Sequence, residues 1–314
     1  MTTIPYKPYL ERTSDTQYSD LLRFIRNSPE TFLQKHPHQK YGRWTNLETP
    51  NLIYNLRNGF PICTERRIPF WKKPVAELLQ FMKGIHTQQE MVEAGCDWWA
   101  QWVTDEQCSY FNLPPGDLGP GSYGPALNIY PHFELNEKTG QWEYKPFNQV
   151  ENLVQSLKDG PALNGHVITT WIPPLAMQHS KHKRQVAVAP CHGTTIQCTV
   201  INGKLLVLTM VQRSQDVAVG GVSNIIQYAA LVIYLAHICG YEPYKFILKI
   251  NDAQIYEDQI EGVDELLTRK PYPFPRLILT EEGQKVDNIF DFTADHFELW
   301  DYESHPGMKI PTTR

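Results

Sequence analysis

The sequence predicts an α+β fold in which a mixed β-sheet packs against one long buried helix. Two features of the second half carry this prediction. β-Branched residues are concentrated in the segments GHVITTWI, TIQCTVI and LLVLTMV, and such residues favour strands. The stretch NIIQYAALVIYLAHICGY is apolar around most of a helical circumference, which is typical of a helix inside a core. Packing of the strands on this helix gives the layers of an α+β domain.

Length and composition indicate one ordinary globular domain. The chain has 314 residues, of which 41% are hydrophobic and 20% are charged, and these values are usual for such domains. It has no internal repeat and no low-complexity linker that would mark a boundary. We therefore expect residues 1–39 to form an N-terminal extension of the same domain and residues 40–314 to form its main body.

The first half predicts fewer regular elements. NLIYNLRNGFPICTERR predicts a strand, a tight turn at Asn58-Gly59 and a second strand. PVAELLQFMKG predicts a helix that opens with a proline and ends at Gly84. The segment 97–128 is rich in tryptophan and then in glycine and proline, so it predicts no regular structure. Loops of this kind often carry functional sites.

The second half predicts strands around the long helix. TIQCTVI and LLVLTMV are separated by Asn202-Gly203, which predicts a hairpin with a tight turn. The long helix is expected to end near Gly240, since glycine commonly terminates helices. YKFILKINDAQIY then predicts one further strand.

Composition and charge disfavour several classes of partner. The N-terminus lacks the basic start and apolar core of a secretory signal, and no apolar run approaches the ~18 residues of a spanning helix. The formal net charge of −5 argues against a nucleic-acid-binding surface, and the locally basic HSKHKR is interpreted as a solvated loop. We expect a cytoplasmic protein whose partners include neither a membrane nor a nucleic acid.

The cysteines point away from metal binding and toward one candidate nucleophile. The six cysteines form no CxxC pair and lack the histidine spacing of a zinc site, so free thiols and no metal are expected. Cys191 lies between a proline and His192 at the start of a predicted strand, where its side chain can face a cleft. A reactive thiol needs a group that lowers its pKa from ~8.5, and Arg213 at the other end of the hairpin could be that group. Local sequence alone favours a small buried residue.

Several separated segments together resemble the thymidylate synthase family. APCHGTTIQCTV followed by QRSQDVAVGGVSNIIQYAAL is similar to the family's Pro-Cys-His segment and its Arg-Ser-x-Asp-x-x-x-Gly-x-x-x-Asn segment. In family order there also occur NGFPICTERR, ELLQFMKG, WAQW with GDLGPGSYG, and DYESHPGMKIP. The resemblance extends from about Lys40 to the C-terminus. It implies the family's three-layer fold and a homodimer that pairs sheet to sheet.

The resemblance also implies a reaction. In this family a cysteine thiolate adds to carbon 6 of a uracil nucleotide, dUMP, and carbon 5 then takes up the one-carbon unit of the co-substrate 5,10-methylenetetrahydrofolate. This is covalent catalysis, and no metal takes part. The products of a thymidylate synthase are dTMP and dihydrofolate.

Residue roles follow from the motif match. Cys191 is implied as the nucleophile, Glu77 as the organiser of proton transfer and water near the base, and Tyr123 as part of the proton-removal region. Arg213 and Asn224 complete the catalytic set. The residues expected at the nucleotide are Arg213, Ser214, Gln197, Asn224, Gln254, Tyr256 and His192, and those expected at the folate are Trp99, Trp102, Asp216, Gly220 and Arg67.

Asn224 carries the prediction of the base. An asparagine amide offers a donor and an acceptor, which suits O4 and N3–H of uracil, whereas the cytosine-specific relatives have an aspartate at this place. Because asparagine also caps helices, a capping role after Ser223 remains open.

The sequence departs from the family at the phosphate and the sugar. Where a partner subunit's two arginines are expected before a Trp-ended strand, ALNGHVITTW has Asn164 and Gly165. A histidine of a His-x-Tyr pattern is replaced by Gln254, and the early phosphate loop is only faintly matched by QKYGRWTN. The candidates for the missing positive charge are Lys40, Arg43, Lys181, Lys183 and Arg184.

Three functions remain in order of preference. The first is a thymidylate synthase proper, favoured by the Trp pair and by the tail HPGMKIP, which resembles the segment that excludes water before hydride transfer. The second is a dUMP hydroxymethylase, favoured by the departures and consistent with a phage or other viral origin, in which case the host cytoplasm is expected. The third is a non-catalytic nucleotide- or RNA-binding relative, disfavoured by the intact polar residues.

Overall fold

A computed structural model of the protein describes residues 4–35 and 40–313. Parts of the predicted N-terminal extension, together with Gln39 of the faint phosphate-loop match, lie outside these ranges. The α-helices are α1 (Gln17–Asn27), α2 (Lys72–Met82), α3 (Gln88–Glu93), α4 (Asp105–Tyr110), α5 (Tyr123–Asn128), α6 (Gln149–Asp159), α7 (Pro173–Ala176), α8 (Gly220–Cys239) and α9 (Ile260–Leu266). Short 3-10 helices cover Tyr9–Glu11, Leu56–Asn58, Trp98–Trp102, Glu257–Gln259, Gly283–Lys285, Ile289–Asp291 and Ala294–His296.

The strands confirm a mixed α+β architecture with several sheets. They are β1 (Phe32–Gln34), β2 (Arg43–Asn46), β3 (Leu52–Asn55), β4 (Phe133–Asn136), β5 (Gln141–Tyr144), β6 (Val167–Ile168), β7 (Thr195–Ile201), β8 (Leu205–Gln212), β9 (Gln215–Asp216), β10 (Glu242–Ile250), β11 (Ala253–Tyr256), β12 (Arg276–Leu279) and β13 (Phe297–Trp300). The larger sheets have the orders β3-β10-β8-β7-β6 and β1-β2-β11-β9, and β4-β5 and β12-β13 are separate pairs.

The five-stranded sheet is mixed and packs on α8, as predicted. β10 runs parallel to β8, and the other neighbouring strands are antiparallel. Alternate side chains of β7 and β8 point toward the helix side and are fully or almost fully buried, among them Ile196, Cys198, Leu208 and Met210. The β7–β8 turn is the predicted hairpin, and Asn202 and Gly203 both have positive φ, 52° and 65°, as a type I′ turn requires.

Helix α8 ends where the sequence predicts, and its burial identifies its role. Gly240 terminates it in a left-handed conformation, φ 77°. By length and composition alone this 20-residue helix could cross a membrane, so the expectation that no run reaches that length was wrong. However, 83% of its apolar window is buried within the fold, which is the behaviour of a core helix.

Two strand predictions were wrong because tertiary contacts decide the pairing. Asn58-Gly59 forms no hairpin: β3 pairs with β10, and residues 59–66 form no strand. Gly59 instead has φ 124°, and a Cβ there would lie 2.5 Å from the Phe274 Cβ, so the glycine permits close packing. YKFILKINDAQIY forms two strands, β10 and β11, which lie in different sheets.

The aromatic segment also differs from its prediction. It is not irregular but contains a 3-10 helix, Trp98–Trp102, and the short helices α4 and α5. Thr104 caps α4 by accepting from the Gln107 N–H at 3.3 Å. Helices of five or six residues are too short to show a periodic pattern, and packing rather than propensity stabilises them.

Candidate active site

Cys191 lies in the turn just before β7 and is held by Tyr123 at the start of α5. The Cys191 N–H donates to the Tyr123 hydroxyl oxygen at 2.8 Å, and the same hydroxyl lies 3.4 Å from the Cys191 Sγ. Because the oxygen accepts from the backbone, its own proton is available to the sulfur. Tyr123 is therefore a donor that can stabilise a thiolate.

Arg213 supplies positive charge on the other side of the thiol. Its N–H donates to the Cys191 carbonyl at 2.8 Å and its Nε donates to the Pro190 carbonyl at 3.2 Å, which ties the end of β8 to the cysteine turn. Burial raises the pKa of the Cys191 thiol above its usual value, while the Tyr123 hydrogen bond and the Arg213 charge oppose the shift. The charge of Glu77 raises the pKa further. The thiol, the arginine and the carboxyl therefore share one site.

His192 supports Tyr123 rather than serving as a charged group. Its Nδ1 is 2.8 Å from the Tyr228 hydroxyl, and its ring stacks on Tyr123 with centroids 4.2 Å apart. Burial lowers the pKa of His192 from 6.5 to about 3. The imidazole is thus neutral near pH 7, and its contacts orient the tyrosine ring.

Glu77 is a buried carboxyl surrounded by donors. Its Oε1 accepts from the indole nitrogens of Trp98 and Trp99 at 2.5 and 2.6 Å, and its Oε2 accepts from Gln227. Burial raises the pKa of Glu77 from 4.5 to about 7, although each of these donors lowers it. The carboxyl can therefore change its protonation state close to neutral pH.

Asn224 lies on the same face of α8 as Gln227, inside the helix. Because α8 begins at Gly220, Asn224 is no helix cap, and the capping alternative is wrong. Its Nδ2 donates to Gln227 at 2.9 Å, and its Oδ1 accepts from Gln212 Nε2 at 2.8 Å. A continuous hydrogen-bond chain thus joins Glu77 to Asn224.

Sequence reasoning missed Gln212 and Gln227 and chose Gln197 instead. Gln197 points away from α8, since its neighbours Ile196 and Cys198 point toward it, and its side chain donates to the Asn164 carbonyl at 3.4 Å. The structure does not bring it to Cys191. Gln212 and Gln227 are fully buried. The available signal for Gln227 was a second amide, three residues after Asn224, in an otherwise apolar helix, since a buried amide must find partners.

The two larger sheets meet at a polar cluster beside Arg213. Gln254 on β11 donates to the Ser214 hydroxyl at 2.8 Å and accepts from Arg43 at 3.4 Å. The Arg213 guanidinium lies 5.3 Å from the Trp171 ring centroid. Arg43, Gln254, Ser214 and Arg213 therefore line one edge of the site.

Arg184 is a further cation near this cluster. It stacks on Phe111 at 4.2 Å, and burial together with the charge of Arg213 lowers its pKa. By contrast, Lys183 donates to the Tyr110 carbonyl at 2.8 Å, and Lys40 lies over its neighbour Tyr41. Of the predicted candidates for the missing charge, the structure thus brings Arg43 and Arg184 close to the site.

Asp216 lies next to the C-terminal tail. Its Oδ1 accepts from the Val219 N–H at 3.2 Å, and its Oδ2 accepts from Gln259 at 2.8 Å. The same Gln259 amide donates to the Pro311 carbonyl at 3.0 Å, which connects Asp216 with the tail. Burial raises the pKa of Asp216 from 3.8 to about 6.

The other residues predicted at the folate lie in different environments. Trp99 is buried and donates to Glu77, whereas Trp102 is half-buried at the end of the same 3-10 helix. Gly220 begins α8, and a Cβ there would meet no heavy atom within 4 Å. Arg67 packs on the Tyr302 ring at 4.3 Å and donates to its carbonyl. Tyr256, which was predicted at the nucleotide, ends β11, and its N–H donates to Gln259 at 3.0 Å.

Within the described part of the chain, no group of three or more histidine, cysteine or acidic side chains could hold a metal ion. The family model described as thymidylate synthase matches residues 16–313, nearly the whole length. The match begins one residue before α1, whose Leu21, Leu22 and Ile25 are fully buried in the core. This family uses methylenetetrahydrofolate as co-substrate, and membership supports a folate-dependent one-carbon transfer to dUMP. The chain belongs to the thymidylate synthase family.

Proposed function

We propose that the protein is a thymidylate synthase that converts dUMP and 5,10-methylenetetrahydrofolate to dTMP and dihydrofolate. One observation carries the proposal: the Cys191 thiol, flanked by Tyr123 and Arg213, shares its site with the hydrogen-bond chain from Glu77 to Asn224. A nucleophilic thiol and an amide that can bind a uracil edge are what addition to this base requires.

The first chemical step is addition of the Cys191 Sγ to carbon 6 of uracil. The sulfur electron pair forms the new S–C6 bond, and the electrons of the C5–C6 double bond move toward O4, so that carbon 5 becomes nucleophilic. Asn224 would donate to O4 and accept from N3–H, which stabilises the charge that develops on O4. Tyr123 and Arg213 stabilise the thiolate before it attacks.

Glu77 is suited to the proton transfers that follow. Its pKa of about 7 lets it both accept and release a proton near neutral pH. Through Gln227 it is connected to the Asn224 amide, which is the group proposed to contact O4. We therefore assign proton transfer around O4 and the ordering of nearby water to Glu77.

The folate side is proposed at Asp216, Gly220 and Trp102, with Trp99 behind them and Arg67 at the rim. When bound, the folate supplies the one-carbon unit. Asp216 accepts from Gln259, from the Val219 N–H and from the Ala218 backbone. Because a carboxylate offers about four lone-pair sites, one remains for a ring N–H. The open space at Gly220 and the half-buried Trp102 suit a flat heterocycle.

The C-terminal tail favours the methyl product. Thr313 donates to Asp258 at 2.6 Å, Gln259 donates to Pro311, and Ile310 is buried. A docked tail excludes water from a site, and hydride transfer to the one-carbon unit competes with attack by water.

A dUMP hydroxymethylase is the second candidate. Asn164 and Gly165 stand where the family has paired arginines, and Gln254 stands where it has a histidine, so the site is not that of an ordinary member. In such an enzyme water attacks the exocyclic methylene, and tetrahydrofolate is released unoxidised.

Product analysis tests the proposed function. The protein is incubated with dUMP and methylenetetrahydrofolate, the nucleotide is identified by mass, and the folate is identified by absorbance. We expect dTMP and dihydrofolate in equal amounts. 5-Hydroxymethyl-dUMP with tetrahydrofolate would replace the first candidate by the second, and an unchanged nucleotide would contradict both.

Phosphate binding is proposed to use Arg43 and Arg184 beside Arg213 and Ser214. Each charge-assisted contact is worth about 1.5–3 kcal/mol. We therefore expect Arg43→Ala and Arg184→Ala each to weaken dUMP binding by about tenfold or more, with little change for deoxyuridine. Calorimetry with both ligands measures this ratio.

A double change of Lys181 and Lys183 to alanine is the matched control, because it removes charge from the same loop as Arg184. It should leave the ratio of dUMP to deoxyuridine affinity unchanged. An unchanged ratio in the combined Arg43 and Arg184 variant would show that these two arginines do not bind the phosphate.

We also propose a homodimer that pairs through the five-stranded sheet. The face opposite α8 exposes apolar side chains, among them Ile53 at 47% and Ile201 at 38%. Thr209 lies at its centre, paired with Gln197 and Ile247 on the neighbouring strands. Thr209→Glu should shift the sedimentation coefficient from dimer to monomer, because two like charges would face each other across the interface. A wild-type protein that sediments as a monomer would contradict the dimer.

A further inference from the structure

We infer that Gln227 holds the Asn224 amide in the orientation that selects uracil over cytosine, and that Gln212 holds it from the other side. The inference rests on the proposed function, since it concerns the base that Asn224 would contact. It assigns a positioning role to two buried glutamines that hydrogen-bond the Asn224 amide from either side.

Glu77 sets the direction of the hydrogen bonds in this chain, because an ionised carboxylate can only accept. Gln227 must therefore turn its NH₂ group toward Glu77. Its oxygen then faces Asn224, and Asn224 must present its own NH₂ group, as the 2.9 Å contact from Nδ2 has it. The Asn224 oxygen is left on the opposite side.

A second acceptor sets the same orientation from the far end of the chain. Gln212 donates through Nε2 to the Ser214 carbonyl at 3.2 Å, and a carbonyl can also only accept. The same Nε2 donates to the Asn224 Oδ1 at 2.8 Å, and the Gln212 oxygen accepts from Gln215 at 3.0 Å. Both ends of the chain thus require the same orientation of Asn224.

This orientation matters because the two bases present opposite patterns. Uracil offers an acceptor at O4 and a donor at N3, whereas cytosine offers a donor at its 4-amino group and an acceptor at N3. Nδ2 retains a second hydrogen and Oδ1 retains a second lone pair for the base. An Asn224 amide that was free to rotate by half a turn could bind either base. An amide held in this orientation binds uracil, because its N–H faces O4 and its oxygen faces N3–H.

The test compares Gln227→Met with Gln227→Glu. Methionine has a similar shape but cannot accept from Asn224, so the preference for dUMP over dCMP should fall by about tenfold. Glutamate beside Glu77 shares one proton with it, and its free oxygen can still accept from Asn224, so the preference should be retained. A role in packing alone would give the two variants the same preference.

Dissociation constants for dUMP and dCMP are measured by calorimetry in the Cys191→Ser background, without folate and without turnover. Gln149→Met is the matched control, because Gln149 is a buried glutamine whose side-chain amide bonds the backbone of Ala126 and Thr169 instead of Asn224. This control should keep the preference. If Gln227→Met does not fold, Gln212→Met tests the hydrogen bond on the other side of Asn224. We expect the same loss of preference for dUMP over dCMP.

The same binding data distinguish failure of the inference from failure of the proposed function. If the Cys191→Ser protein prefers dUMP, and Gln227→Met and Gln212→Met in that background keep this preference, the inference is wrong and the proposed function stands. If the Cys191→Ser protein binds neither dUMP nor dCMP, both the proposed function and the inference are wrong.

Discussion

Cys191→Ser is expected to lower the rate of dihydrofolate formation by on the order of 10⁴-fold or more, as removal of a nucleophile does in other covalent enzymes. The thiolate is stabilised by the Tyr123 hydroxyl at 3.4 Å and by the charge of Arg213. These groups cannot make a serine hydroxyl ionise near neutral pH, so the covalent addition is lost. Initial rates followed by absorbance measure the effect.

Binding separates this chemical defect from misfolding. The affinity of Cys191→Ser for dUMP should stay within a few-fold of the wild type, since serine fills nearly the same volume. Cys239→Ser is the control, because Cys239 lies at the opposite end of α8 from Asn224 and its sulfur donates to the Val154 carbonyl. Turnover that survives in Cys191→Ser would rule out the proposed covalent mechanism.

Glu77→Gln is expected to lower turnover by about 10²–10⁴-fold, the range that a positioned proton-transfer group contributes. Trp98, Trp99 and Gln227 all donate to the carboxyl, and the ionised form is the one that can take up a proton during turnover. Turnover of the wild type should therefore rise as the pH passes through about 7. The variant should lack this inflection between pH 5 and 9. The same inflection in both proteins would assign it to another group.

The same pKa predicts a stability change of definite sign. The pKa of Glu77 is raised on folding from 4.5 to about 7, so burial of the ionised form costs on the order of 3 kcal/mol. Stability from the neutral form is fully present below about pH 4.5 and is lost as the pH rises through about 7. Glu77→Gln, which stays neutral, should therefore gain stability relative to the wild type at pH 8 compared with pH 5. Thermal unfolding at the two pH values measures this difference, and an equal difference at both would contradict the shift.

The predictable parts of the fold were local ones. The Asn202-Gly203 hairpin and the end of α8 at Gly240 depend on turn residues and periodicity that neighbouring positions supply. Gly59 looked like the same kind of turn, yet it serves packing against Phe274. A short sequence cannot distinguish the two uses, because the difference lies in a residue more than two hundred positions away.

In the candidate site too, some residues could be predicted from the sequence and others could not. Motif order in the sequence was enough to select Cys191, Glu77 and Asn224 and to identify the family, which the match over residues 16–313 confirms. Their roles stay predictions. Gln197 was also selected by the motif match, but its side chain lies on the face of the sheet opposite α8 and donates to the Asn164 carbonyl.

By itself, the sequence determined the family, the α+β class and the residue types of the chemistry. Only the tertiary structure decided which buried amides join Glu77 to Asn224, and which arginines stand beside Arg213. The physical reason is that a buried polar group must find a partner wherever the fold offers one. Gln227, one of the donors to Glu77, is 150 positions away. No local pattern encodes such a pair, because it exists only once α2 and α8 are packed together.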